Sequence, residues 1–78
     1  MLRTNYTYED TNIEGAVIEV ISTEAKQETI RFQYVVKDDG SIVKIFTGYC
    51  DNDNQTSPEV LAYEAIKALS IFSGATEV

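Results

Sequence analysis

Histidine and tryptophan are absent from the 78 residues, which hold one cysteine (Cys50), one proline (Pro58) and six basic residues against thirteen acidic ones. Each scarcity removes a class of reading. Without histidine the usual general base at neutral pH is missing, and the Ser/His and Cys/His nucleophilic arrangements go with it, so the chain is not expected to be an enzyme. A lone cysteine forms no intrachain disulfide, and Cys/His zinc spacing is lacking, so neither staple of small domains is available and no cofactor is expected. Cys50 is also a poor nucleophile, because Asp51 and Asp53 beside it disfavour the thiolate.

The longest apolar stretches, 42–46 and 60–72, are interrupted by Lys44, Glu64, Lys67 and Ser70. They fall short of the roughly 20 residues a membrane span needs. Met1 and Leu2 lead directly into the polar stretch 3–12, without the basic start and apolar run of a secretion signal. A cytoplasmic protein with no membrane partner is expected. On that reading Asn5-Tyr6-Thr7 and Asn54-Gln55-Thr56 match the glycosylation acceptor pattern by chance.

The formal charge of −7 repels phosphate backbones and attracts basic surfaces. Nucleic acid is therefore an unlikely partner, and another protein with a basic surface a better one. The length supports one core, so residues 1–78 are read as a single α+β domain. That core is thin, and a second copy in a homo-oligomer would thicken it.

What is present reads as an antiparallel β-meander of three to four strands, about 3–8, 14–23, 29–37 and 41–50, packed on one C-terminal α-helix, about 58–73. The strongest local signal is Asp39-Gly40 between two alternating apolar runs, the preferred pair for a two-residue hairpin turn. With Asp38 opposite Ser41, Val36 meets Val43, Tyr34 meets Ile45, Phe32 meets Thr47 and Ile30 meets Tyr49. Setting Thr23 opposite Thr29 puts Ala16, Ile18 and Val20 on the core face and turns Glu19 outward beside Arg31. Burying Glu19 unpaired would be expensive.

Residues 3–8 read as an edge strand ending in a turn at 9–12, with a flexible arm at 1–12 as the alternative. Ser57-Pro58-Glu59 starts the helix, and Gly74 after Ser73 ends it. Leu61, Ala65, Ala68, Leu69 and Phe72 form an apolar stripe for the sheet, leaving Val60, Tyr63 and Ile71 off it. Residues 75–78 are expected to be a loose tail.

Three surfaces could bind. The acidic turns offer Glu9, Asp10, Asp38, Asp39, Asp51 and Asp53, spaced carboxylates that suit a basic partner surface. The surplus apolar residues Val60, Tyr63 and Ile71, or the outer sheet face, offer a homo-oligomer contact. On the expected register Arg31, Lys37, Lys44 and Phe46 share the outer sheet face, where basic and aromatic side chains could hold a single-stranded nucleic acid. The run 51–55 places oxygens like the start of a calcium loop, but Thr56 and Ala62 stand where glycine and a bidentate glutamate belong, so it reads as a polar connector and no metal is expected.

Strands followed by a capped helix resemble, in outline, the last part of double-stranded RNA-binding domains and several tiny phage-encoded inhibitors. The RNA-binding domain has a basic start to its last helix, where this chain has Ser57-Pro58-Glu59. Small size, acidity and the missing catalytic residues are similar to the inhibitors, which implies a non-catalytic inhibitor or adaptor acting on another protein.

Overall fold

The computed structural model describes residues 1–72 and 74–78. The chain forms a five-stranded antiparallel sheet of β1 (Leu2–Tyr8), β2 (Thr11–Ala25), β3 (Thr29–Asp38), β4 (Ser41–Asp51) and β5 (Thr76–Glu77), with one helix, α1 (Pro58–Lys67). The spatial order is β4-β3-β2-β1-β5, an α+β meander. Residues 3–8 are strand rather than flexible arm, and the expected loose tail holds a short strand: β5 pairs with Leu2 and Arg3.

Two of the three hairpins close through two residues in the left-handed region, Glu9-Asp10 (φ 48° and 65°) and Asp39-Gly40 (φ 50° and 85°). Positive φ at both central positions matches the right-handed twist of the flanking strands. β2 is long because it serves two partners. Its first half, to Ile18, pairs with β1, and its second half, from Val17, pairs with β3. Bulges adjust it to each, one around Gly15 (φ 68°), whose N–H donates to Asn5 Oδ1 at 3.2 Å, and one at Ile21.

The turn at Asp39-Gly40 and the pair Asp38–Ser41 are as expected, but the register beyond them is corrected. A bulge at Val43 moves β4 by one residue, so Val36 faces Lys44, Tyr34 faces Phe46, Phe32 faces Gly48 and Ile30 faces Cys50. A one-residue shift exchanges the faces of a strand. Phe46 and Cys50 thus pack against the core, while Ile45 and Tyr49 look outward. On the β2–β3 side Val20 pairs with Tyr34 rather than Phe32, a shift of two that leaves the faces of Ala16, Ile18 and Glu19 as expected, and beyond the bulge at Ile21 Thr23 pairs with Phe32 rather than Thr29, a shift of three.

Helix α1 begins at the expected cap, where Ser57 Oγ accepts the Val60 N–H at 3.3 Å and Pro58 opens the first turn. It ends earlier than expected, at Lys67, and the chain tightens into a 3-10 turn over Ser70–Phe72. The expected helix end at Ser73 lies outside the described residues. This early end rotates the apolar stripe. Ala62 and Ile66 are buried, flanked by Leu61, Tyr63 and Ala65, whereas Ala68 and Leu69 are exposed and Phe72 reaches the core from the 3-10 turn.

The core lies between α1 and one face of the sheet. Toward the 3-10 turn it is aromatic. Phe72 stacks on Tyr6 (centroids 6.0 Å) and meets Tyr34 and Phe46 edge-on (6.2 Å each), while Tyr34 and Phe46 stack at 5.2 Å. Rings from β1, β3, β4 and the 3-10 turn thus contact one another, and offset and edge-on pairs add to their area burial.

Candidate protein-interaction surface

α1 covers one face of the sheet and leaves the other open. The open face carries Arg31, Gln33, Val35 and Lys37 from β3, as expected, but beside them stand Tyr49, Thr47, Ile45 and Ile42 from β4. Ile42, Ile45 and Tyr49 are 57%, 55% and 66% exposed, and Val35 beneath them is only 1% exposed although it lies outside the main core cluster. Val35 is covered from its own side of the sheet, where Glu19 and Ile45 are its cross-strand neighbours. The outer face therefore has a small apolar centre whose upper layer is exposed to water.

The basic groups of this face are held by local acids. Lys37 Nζ donates to Glu19 Oε1 at 2.8 Å, and Arg31 Nη1 lies 4.0 Å from Glu24 Oε2, so Glu19 pairs with Lys37 rather than Arg31. The expected grouping of Arg31, Lys37, Lys44 and Phe46 does not form. The bulge at Val43 turns Lys44 and Phe46 to the helix side, where the Phe46 ring stacks on Tyr34. No aromatic ring of that set remains for a base to stack on.

The acidic residues separate into three places. Glu9 and Asp10 form the tip of the β1–β2 hairpin, Asp38 and Asp39 lie at the turn before β4, and Asp51 ends β4. All five are exposed and, among the described residues, none is in an ion pair. Asp53 is different. Its carboxylate accepts the N–H groups of Gln55 (2.9 Å) and Thr56 (2.8 Å) and the Thr56 hydroxyl (2.7 Å). Those bonds hold its pKa below the usual carboxylate value, the Thr56 N–H contributing most. Asn52 Nδ2 donates to Lys26 O (2.7 Å) and Asn54 Nδ2 to Gln27 O (3.0 Å), so the run 51–55 ties the connector into α1 to the β2–β3 loop. Asp53 is thus a clasp within the connector rather than a free contact charge.

Val60 and Tyr63 line a groove of about 440 Å³ with Met1, Leu2, Ser57, Glu59, Glu77 and Val78. Ile71, on the 3-10 turn, is not among its lining residues. The Tyr63 hydroxyl is engaged by the backbone of β2 and Tyr63 packs against the core, while Val60 and Ile71 are exposed. Cys50 is half-buried on the core side, and burial followed by the charge of Asp51 raises its thiol pKa.

The residues of the outer face that the sequence reading missed are Ile45 and Tyr49. Their signal was there in the apolar alternation of β4, but the bulge that assigns them to this face is not marked by glycine or proline. No family model, curated protein or solved structure matches the chain. Among the described residues no helix is long and apolar enough to cross a membrane.

Proposed function

We propose that the chain is a non-catalytic protein-interaction module, an inhibitor or adaptor, that binds a partner with a basic surface through the open face of the β3–β4 hairpin. The supporting observation is the exposed strip Ile42, Ile45 and Tyr49, bounded by the unpaired carboxylates of Asp38 and Asp39 at one end and Asp51 at the other. An apolar centre with a polar, charged rim is the usual composition of a specific protein interface, with tyrosine among its favoured anchors. The rim supplies sign selectivity: it attracts lysine and arginine and repels acidic surfaces. Of the six carboxylates expected to bind, Asp38, Asp39 and Asp51 frame this strip, Glu9 and Asp10 sit at a separate tip, and Asp53 is internally bonded.

Affinity capture from the source cell with the native chain, the double variant Ile45→Ser/Tyr49→Ser and the double variant Asp38→Asn/Asp39→Asn tests this reading. A protein captured by the native chain should be lost with the first variant and bound more weakly with the second, and raising salt through the physiological range should weaken capture further. Capture unchanged by both variants would refute it.

A further inference from the structure

The edge of the sheet at β4 is open. Antiparallel ladders bond alternate residues to the neighbouring strand. The bond from Asn52 N to Glu28 O, 3.0 Å, sets that alternation for the β3–β4 ladder, so the backbone groups of Ile45, Thr47 and Tyr49 face away from β3. Among the described residues no side chain hydrogen-bonds to the backbone of Ser41–Asp51 on that side. The other free edges are shorter. β5 covers Leu2 and Arg3 of β1 and leaves residues 4–8, and the β2 edge beyond β1 is capped at Val20 N by Tyr63 and bulged at Ile21. Natural proteins protect such edges with charge, proline or bulges. Between Ile42 and Cys50, β4 has only the bulge at Val43 and the single charge of Lys44, both near its start.

Charge decides what the edge fits. Carboxylates flank it at both ends, Asp38 and Asp39 before β4 and Asp51 at its end. A second copy docked antiparallel, edge to edge, would bring the Asp38-Asp39 turn of one chain toward the Asp51 end of the other, acid against acid. Resting on the proposed role as a protein-interaction module, we infer that the free edge of β4 takes up an extended segment of a partner protein as an added strand. That segment carries β-branched or aromatic residues at alternate positions, to lie beside Ile45 and Tyr49, and lysine or arginine at both ends. Backbone bonds along the edge supply affinity in this mode, and alternate side chains with the end charges supply specificity.

The test uses three synthetic peptides of about ten residues, the length of an ordinary strand. One alternates valine and threonine between lysine pairs, one has glutamate pairs instead, and the third is the lysine peptide N-methylated at alternate backbone amides. Amide exchange and ¹⁵N chemical shifts of the native protein are read at each addition, with sedimentation run in parallel. The lysine peptide should slow exchange at Ile45, Thr47 and Tyr49, and should bind roughly tenfold or more tightly than its glutamate twin at low salt. The N-methylated peptide should fail, since it cannot complete the ladder. Equal binding of methylated and unmethylated peptides, or ¹⁵N shifts at Ile45 and Tyr49 without slowed amide exchange there, would overturn strand addition while leaving face-on interaction intact. Edge protection that depends on protein concentration, with a sedimenting dimer, would assign the edge to a second copy and overturn the inference too. No response to any peptide also overturns it, and capture of a partner dependent on Tyr49 would then show that the interaction reading survives alone.

Discussion

The phenol oxygen of Tyr63 accepts the backbone N–H of Val20 at 3.0 Å, across 43 residues of sequence. Val20 lies where β2 has run past the start of β1, so its outward N–H has no strand to bond. Helix α1 supplies the missing acceptor, and one hydroxyl both docks the helix and closes that part of the edge. Tyr63→Phe keeps the ring packing and removes only the acceptor. A partly buried donor left without a partner costs about 1–2 kcal/mol. The Tm should fall by about 4–8 °C per kcal/mol in a chain of this size, with faster amide exchange at Val20. Unchanged exchange at Val20 would show that water replaces the phenol.

Gly48 sits in the middle of β4 beneath the ring of Phe32, and a Cβ at that position would stand 2.5 Å from Phe32 Cζ. Phe32 is buried, so its ring cannot move aside freely. Gly48→Ala is expected to cost about 1–3 kcal/mol through overpacking, despite alanine being the better strand residue. Gly40→Ala has open space around its Cβ but a φ of +85°. Its penalty is backbone strain, about 1–3 kcal/mol. Urea denaturation of the two single variants separates the causes: adding Phe32→Leu should rescue Gly48→Ala and leave Gly40→Ala unrelieved.

The Asp39-Gly40 turn, the helix cap at Ser57 and the inward set Ala16, Ile18, Phe32, Tyr34 and Val36 were legible because each is written in local chemistry: turn residues, a capping hydroxyl and period-two alternation. The register of β4 was not. Val43 is an ordinary strand residue, and what favours a bulge there is tertiary: it lets Phe46 reach Tyr34, Tyr6 and Phe72, contacts made across the whole chain. The same holds for the helix stripe. The Leu61 line looked best while the helix was extended to 73, and the 3-10 turn that carries Phe72 into the core breaks that periodicity. Because both misreadings moved side chains between faces, the candidate surface changed more than the fold did.

The clasp at Asp53 gives a pH signature at the acid end. Its carboxyl pKa is lowered in the folded chain, chiefly by the Thr56 and Gln55 N–H groups. A depressed folded pKa means that the unfolded chain binds the proton first. Its stabilising contribution is therefore complete above the ordinary aspartate value of about 4 and is lost as pH falls through the lower folded value. Lys67 has the opposite sign. Bonds to Glu64 and Glu77 raise its pKa, so its contribution is complete below the ordinary lysine value and is lost as pH rises through the folded one. Carboxyl ¹³C titration should show Asp53 titrating below the ordinary aspartate value. In Asp53→Asn the acid limb of the stability profile should flatten, while the alkaline limb keeps its shape.

Among the described residues Phe72 is the only one beyond α1 in the buried core, fully enclosed among Tyr6, Tyr34 and Phe46. Those three rings come from β1, β3 and β4, so one side chain after the helix links three strands to the end of the chain. Phe72→Ala removes the ring from the middle of the cluster and should cost about 3–5 kcal/mol. A chain of this length has roughly 4–12 kcal/mol in total, so the variant should be largely unfolded or close to it at 37 °C. Phe72→Leu keeps most of the volume but loses the edge-on and stacked geometry, and should cost about 1–2 kcal/mol. Near-ultraviolet circular dichroism of the tyrosines with urea melts distinguishes the two effects. A Phe72→Ala protein within about 0.5 kcal/mol of the native chain, the range of ordinary surface changes, would mean that the sheet and α1 close the core without this ring.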